Sequence, residues 1–170
     1  ANGCQATTTG TLTDPSAVSI TNVATVDPTC NGGADGSITI TASGGTGALQ
    51  YSIDNGVTFQ AGNNFPGLGA ASYDIVVEDA NGCQATTTGV LTDPPAVNIT
   101  NVATTDPTCN GGTDGSIIIT ASGGTGALQY SIDNGVTFQA SNTFNGLGAA
   151  TYNIVVEDAS GCQATTTGTL

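Results

Sequence analysis

The stretch SYDIVVEDANGCQATTTGVL (72–91) places Tyr73, Ile75 and Val77 at every second position, breaks at Asn81-Gly82, and continues into a threonine-rich run. Apolar residues at period two mark a half-buried strand, Asn-Gly marks a turn, and threonine suits a solvated pleat. The same pattern recurs upstream. AVSITNV (17–23) aligns Val18 with Ile20, SITITA (37–42) aligns Ile38 with Ile40, and LQYSI (49–53) aligns Leu49, Tyr51 and Ile53. DNG (54–56) then predicts a hairpin turn into a further strand, VTF, carrying Val57 and Phe59. No segment repeats its apolar residues at helical spacing, so the chain reads as all-β. About seven short strands between Gly, Asn and Asp turns predict an immunoglobulin-like β-sandwich, with a barrel as the runner-up. In GLGAASYDI (67–75) a small-residue turn precedes Tyr73, which predicts a corner where the tyrosine hydroxyl bonds nearby backbone.

Displaced along itself by 79 residues, the chain matches: 13–91 align with 92–170 without a gap and with twelve differences, and 1–12 align with 80–91 with one. Residues 1–12 therefore read as the end of a preceding repeat, 13–91 as repeat 1 and 92–170 as repeat 2. This predicts a window on a longer tandem array, in which a missing targeting segment says nothing of location. Copies this alike suit one uniform mechanical role better than distinct active sites.

Thirteen carboxylates face no Lys, Arg or His. Nucleic acid binding and recruitment to anionic membranes both draw on basic side chains, so neither partner is expected. The chain also lacks the usual proton shuttle and the commonest transition-metal ligand. Catalysis is not expected: a cysteine nucleophile would have no base, and a glycosidase carboxylate pair would have no Trp, Arg or His beside it to bind a sugar. Without lysine no Lys–Asn isopeptide cross-link can form, and trypsin-like proteases have no site.

Cysteine remains as a covalent staple for a small core. Cys4, Cys83 and Cys162 share one repeat position, Cys30 and Cys109 the other. Two schemes fit the spacing: 53 residues within a repeat (Cys30 with Cys83, Cys109 with Cys162) or 26 across a junction (Cys4 with Cys30, Cys83 with Cys109). The within-repeat scheme is favoured, because each copy then folds by itself and Cys4 pairs with an upstream cysteine. Its loop would contribute about 3 to 4 kcal/mol.

The carboxylates sit near expected loop ends, where Asp accepts backbone hydrogen bonds. A sharper expectation is Ca²⁺, a hard cation that takes oxygen ligands. Its candidate ligands are Asp27, Asp35, Glu78, Asp79 and Asp93, with Asp106, Asp114, Glu157 and Asp158 in the second copy; no other cofactor is expected. The ATTTG runs (6–10, 85–89, 164–168) read as edge or final strands, and Thr86, Thr87 and Thr88 are candidates for O-linked glycans. An N-glycosylation pattern occurs at Asn98-Ile99-Thr100, but the other copy has Ser19 in place of the asparagine.

DPTCNGGADGSITITASGGTGALQYSIDNG (27–56) with YDIVVEDANGC (73–83), and again 106–135 with 152–162, resembles the SprB repeat of large adhesins on gliding Bacteroidota. The resemblance implies an immunoglobulin-like sandwich, export to the cell surface, and service as a repeated adhesin stalk or filament. The family often carries an aromatic pair on its third strand. Leu49, Tyr51 and Ile53 stand there in this chain, which argues against a carbohydrate-binding platform in this copy. The expected role is a structural segment of an extracellular stalk, partnered by adjacent repeats and by neighbouring chains in a filament, with no membrane insertion. The competing role is a multivalent module binding glycans or protein. Pro94 and Pro95 in LTDPPAVNIT (91–100) restrict the joint between repeats.

Overall fold

The computed structural model describes residues 3–170. Residues 1 and 2, at the head of the 1–12 segment, lie outside it. Among the described residues there are twelve strands and no helix, and hence no helix long and apolar enough to cross a membrane. The chain gathers into two compact units that do not follow the sequence period. One comprises residues 3–24, 39–64 and 73–89; the other comprises 25–38, 65–72 and 90–170.

The second unit contains all of repeat 2. Its strands are β7 (Asn98–Thr105), β8 (Gly115–Ser122), β9 (Gln129–Ser131), β10 (Thr143–Leu147), β11 (Thr151–Glu157) and β12 (Gln163–Thr169). They form two antiparallel three-stranded sheets, ordered β10-β8-β7 and β12-β11-β9. Alternation explains the core. Ile117 and Ile119 on β8 meet Ile154 and Val156 on β11, all at 0% exposure, so the two sheets close face to face as an immunoglobulin-like sandwich. The corner tyrosine is present: the Tyr152 hydroxyl donates to the Gly148 carbonyl at 3.0 Å.

Repeat 1 supplies β1 (Ser19–Val26), β2 (Gly36–Ser43), β3 (Gln50–Ser52), β4 (Asn64–Leu68), β5 (Ala71–Glu78) and β6 (Gln84–Leu91), in sheets ordered β1-β2-β4 and β3-β5-β6. Ile38, Ile40, Ile75 and Val77 are buried, as their alternation predicts.

Two local expectations change, and one strand had not been read from the sequence. VTF (57–59) is not a strand. Tyr51 exchanges both backbone hydrogen bonds with Gln60 instead, and Val57 is 80% exposed. Asn64–Leu68 is a strand that its Pro66 and Gly67 disguise, and it lies at the sheet edge, where a missing N–H is tolerated. The first ATTTG run (6–10) forms no strand, whereas 85–89 and 164–168 lie in β6 and β12.

The VTF segment turns aside because an Asp-centred loop claims it. Ser131, fully buried, donates to Asp133 Oδ1 at 2.6 Å and accepts from Gly135 N at 2.9 Å. Asp133 also accepts from the Val136 and Thr137 amides and the Thr137 hydroxyl, and Asn134 takes the left-handed conformation (φ 64°). Ser52, Asp54, Asn55 and Thr58 repeat the arrangement.

These bonds favour the carboxylate. Donation by Ser52, then by Thr58, lowers the Asp54 pKa from 3.8 to about 2, and Ser131 and Thr137 hold Asp133 below the usual carboxylate range. A depressed folded-state pKa gives stability that is fully present above the unfolded value and is lost as pH falls through the folded one. Denaturant midpoints should therefore hold down to about pH 4 and fall between there and about pH 2. Joint Asp54→Asn and Asp133→Asn substitution should flatten that fall, measured by urea titration at each pH.

Candidate functional site

The residues with the most nonlocal bonding lie in the second unit, around the loop that joins β1 to β2. In DPTCNGGADG (27–36) Asp35 accepts from the amide and hydroxyl of Thr29, and the Gly33 amide donates to the Cys30 carbonyl at 2.8 Å. Those bonds from Thr29 hold the Asp35 pKa low. Gly32 has φ 72°, and a Cβ on Gly33 would stand 2.8 Å from the Cys30 carbonyl oxygen, so the Asn-Gly-Gly sequence is a steric requirement of the turn.

The loop grips the connection into repeat 2. Asp27 accepts from the amide and the hydroxyl of Thr92, both at 2.9 Å, Asp93 accepts from Gly32 N at 3.1 Å, and Asn31 Nδ2 donates to the Pro94 carbonyl at 3.0 Å. Pro28, in the same loop, is buried.

The partner of Cys30 is Cys162: S–S 2.01 Å, Cα–Cα 5.6 Å, 132 residues apart in sequence. Cys162 closes a turn built on Asp158, which is only 4% exposed. That carboxylate accepts from the amides of Thr125 (2.7 Å), Ser160 (2.8 Å) and Cys162 (2.9 Å), and these bonds, Thr125 foremost, keep its pKa low. A near-buried charge is thus satisfied by backbone, which fixes the direction in which the cysteine is presented. Asp79 builds the same turn before Cys83, with the Thr46, Asn81 and Cys83 amides.

Neither spacing scheme anticipated this pairing, and both are corrected. Cys30 does not pair with Cys83, nor Cys109 with Cys162, and Cys4, Cys83 and Cys109 are exposed thiols. The registers of repeat 2 give the reason. A Cβ on Gly115, next to the Cys109 loop, would meet Leu170, Leu147 and Thr105, which places that loop at the end where β12 finishes. Cys162 precedes β12 and lies at the opposite end. Seven residues of strand separate the two ends by about 23 Å, whereas a disulfide needs Cα atoms within about 7 Å.

Of the nine carboxylates singled out for calcium, all but Asp106, which is exposed, accept hydrogen bonds within the chain. Asp27, Asp35, Asp79, Asp93 and Asp158 are described above; Asp114 accepts from Thr108, Glu78 from Gln84, and Glu157 from Gln163. Among the described residues no three Asp, Glu or Cys side chains gather as a metal-binding group. Thr86, Thr87 and Thr88 are exposed on β6. A recess of about 250 Å³ lies beside the disulfide, below the usual size of a small-molecule pocket. The sequence reading missed buried Ser52 and Ser131, and the clamps of Asp27 on Thr92 and Asp93 on Gly32. Recurrence of Ser-x-Asp-x-Gly in both copies was the available signal for the first pair; the clamps left none.

A family model described as SprB repeat matches residues 22–58 and 101–137. In these two segments, one in each copy, the chain is similar to the SprB repeat. Each match runs from the first strand of a repeat through the cysteine loop to the Asp-centred loop after the third strand. No curated protein sequence matches the chain. Among solved structures, the 282-residue C-terminal fragment of intimin, solved with the intimin-binding domain of the translocated intimin receptor, is 14% identical with a TM-score of 0.43. The match covers 89% of this chain and spans 64% of that fragment. The fibronectin(III)-like modules of Clostridium thermocellum CbhA are 15% identical, TM-score 0.35, with 88% and 90% covered.

Proposed function

We propose that the two repeats form a non-enzymatic, force-carrying segment of an extracellular adhesin stalk, with neighbouring repeats as their chief partners. The Cys30–Cys162 bond carries the reading: it ties repeat 1 to the far turn of repeat 2, so that tension along the chain passes through a covalent link rather than through the strands between. A disulfide also suits an oxidising location outside the cytosol. The carboxylates support loops instead of facing one another across a cleft, and the two copies keep the same core.

Single-molecule stretching from the two termini tests this. In the oxidised chain the 132-residue span should stay shielded, and reductant should add about 450 Å of contour length. Equal extension with and without reductant, together with specific retention on a glycan array, would overturn the stalk reading in favour of a binding module.

A further inference from the structure

The Cys30–Cys162 link joins two structural parts, and the chain carries a second example of each. Cys109 lies 79 residues after Cys30 in the same loop, and Cys83 lies 79 residues before Cys162 in the same turn. Both spare copies have the folded form of the bonded ones. Around Cys109, Gly112 N donates to the Cys109 carbonyl at 2.9 Å and Asp114 accepts from Thr108 N at 3.0 Å, against 2.8 and 2.9 Å around Cys30. Before Cys83, Asp79 accepts from the Cys83 amide at 2.9 Å, as Asp158 does from Cys162. What differs is cover. Pro28 is buried and Cys30 half-buried, whereas Pro107 is only half-buried and Cys109 is exposed. Asn110 and Gly111 hold the places from which Asn31 and Gly32 bond the connection into the following repeat.

We infer that the 106–114 loop is a docking surface for another such repeat, and that the exposed thiol of Cys109 forms a disulfide there with the Cys83-type turn of that repeat. The inference rests on the stalk reading and deepens it: coupling is directional, the loop cysteine of one repeat taking the turn cysteine of a later one. Chemically the step is thiol–disulfide exchange. The Cys109 thiolate attacks a low-molecular-weight disulfide such as oxidised glutathione and releases one glutathione thiolate. The Cys83 thiolate of a second copy then displaces the other glutathione. One S–S bond breaks, one forms, and both electrons end on glutathione.

The test uses the whole chain, incubated with oxidised glutathione, run on a non-reducing gel, and mapped by mass spectrometry after cleavage at Asp and Glu. The expected result is a ladder of covalent oligomers whose linkage is Cys83 to Cys109, with monomer alone from Cys83→Ser or Cys109→Ser and an undiminished ladder from Cys4→Ser. Cys4 lies in residues 3–18, which form no strand, so it serves as the control for indiscriminate oxidation. Circular dichroism checks that each variant keeps its fold. Like-to-like linkages or Cys4 linkages in amounts comparable to Cys83–Cys109, or a monomer with free thiols, would overturn the inference. A monomer that still gains contour length on reduction would leave the stalk reading standing.

Discussion

Reduction of Cys30–Cys162 is expected to lower stability by about 4 to 5 kcal/mol, because the bond closes 132 residues and cross-links restrict the unfolded chain more as the closed loop lengthens. The native state loses little in exchange. Asp27 on Thr92, Asp93 on Gly32 and Asn31 on Pro94 hold the same loop in place without the sulfurs. The effect therefore falls mostly on the unfolded ensemble, and the reduced chain should keep its strand spectrum. For a body of roughly 100 residues each kcal/mol is worth about 4 to 8 °C, so Tm should fall by roughly 15 °C or more. Calorimetry with and without reductant, and of Cys30→Ser with Cys162→Ser, checks this. Superimposed oxidised and reduced transitions would show that the bond contributes nothing to stability.

Truncation of Ile154 to Ala should cost about 4 kcal/mol in the urea-derived unfolding free energy, and Ile154→Val about 1 kcal/mol. Ile154 is wholly buried against Ile117, Ile119 and Val156 of a thin core. Beside it lies Gly168, where an added Cβ would stand 3.2 Å from Ile154 Cδ1, so on that side there is no side chain to move into the hole. Neighbouring Ile118 provides the contrast. It is 43% exposed, and repeat 1 has Thr39 at the same place, so Ile118→Thr should change stability by no more than about 0.5 kcal/mol. A small loss at Ile154 would mean that the sheets are not packed through that residue.

Much of this was readable before any coordinates. Ile38, Ile40, Ile75 and Val77 are buried as their alternation requires, and the tyrosine corner expected at Tyr73 is seen at Tyr152. Two departures have local causes. Val57 and Phe59 look like strand, but Asp54 takes the Val57 and Thr58 amides and bends the segment away. Pro66 looks like a loop, but an edge strand does not need its amide.

Strand pattern and turn chemistry follow from the sequence by itself, because each is set by residues within a few positions of one another, and the 79-residue period is visible wherever the chain is laid along itself. The cysteine partners do not. Repetition makes Cys4, Cys83 and Cys162 equivalent as sequence, so local chemistry assigns Cys30 no preference among them. The choice falls to the tertiary structure, which sets the two cysteines of a repeat at opposite ends of its sandwich and brings the Asp158 turn against the Cys30 loop. A bond that reaches only a few ångströms then forms across 132 residues of chain instead of 53 or 26.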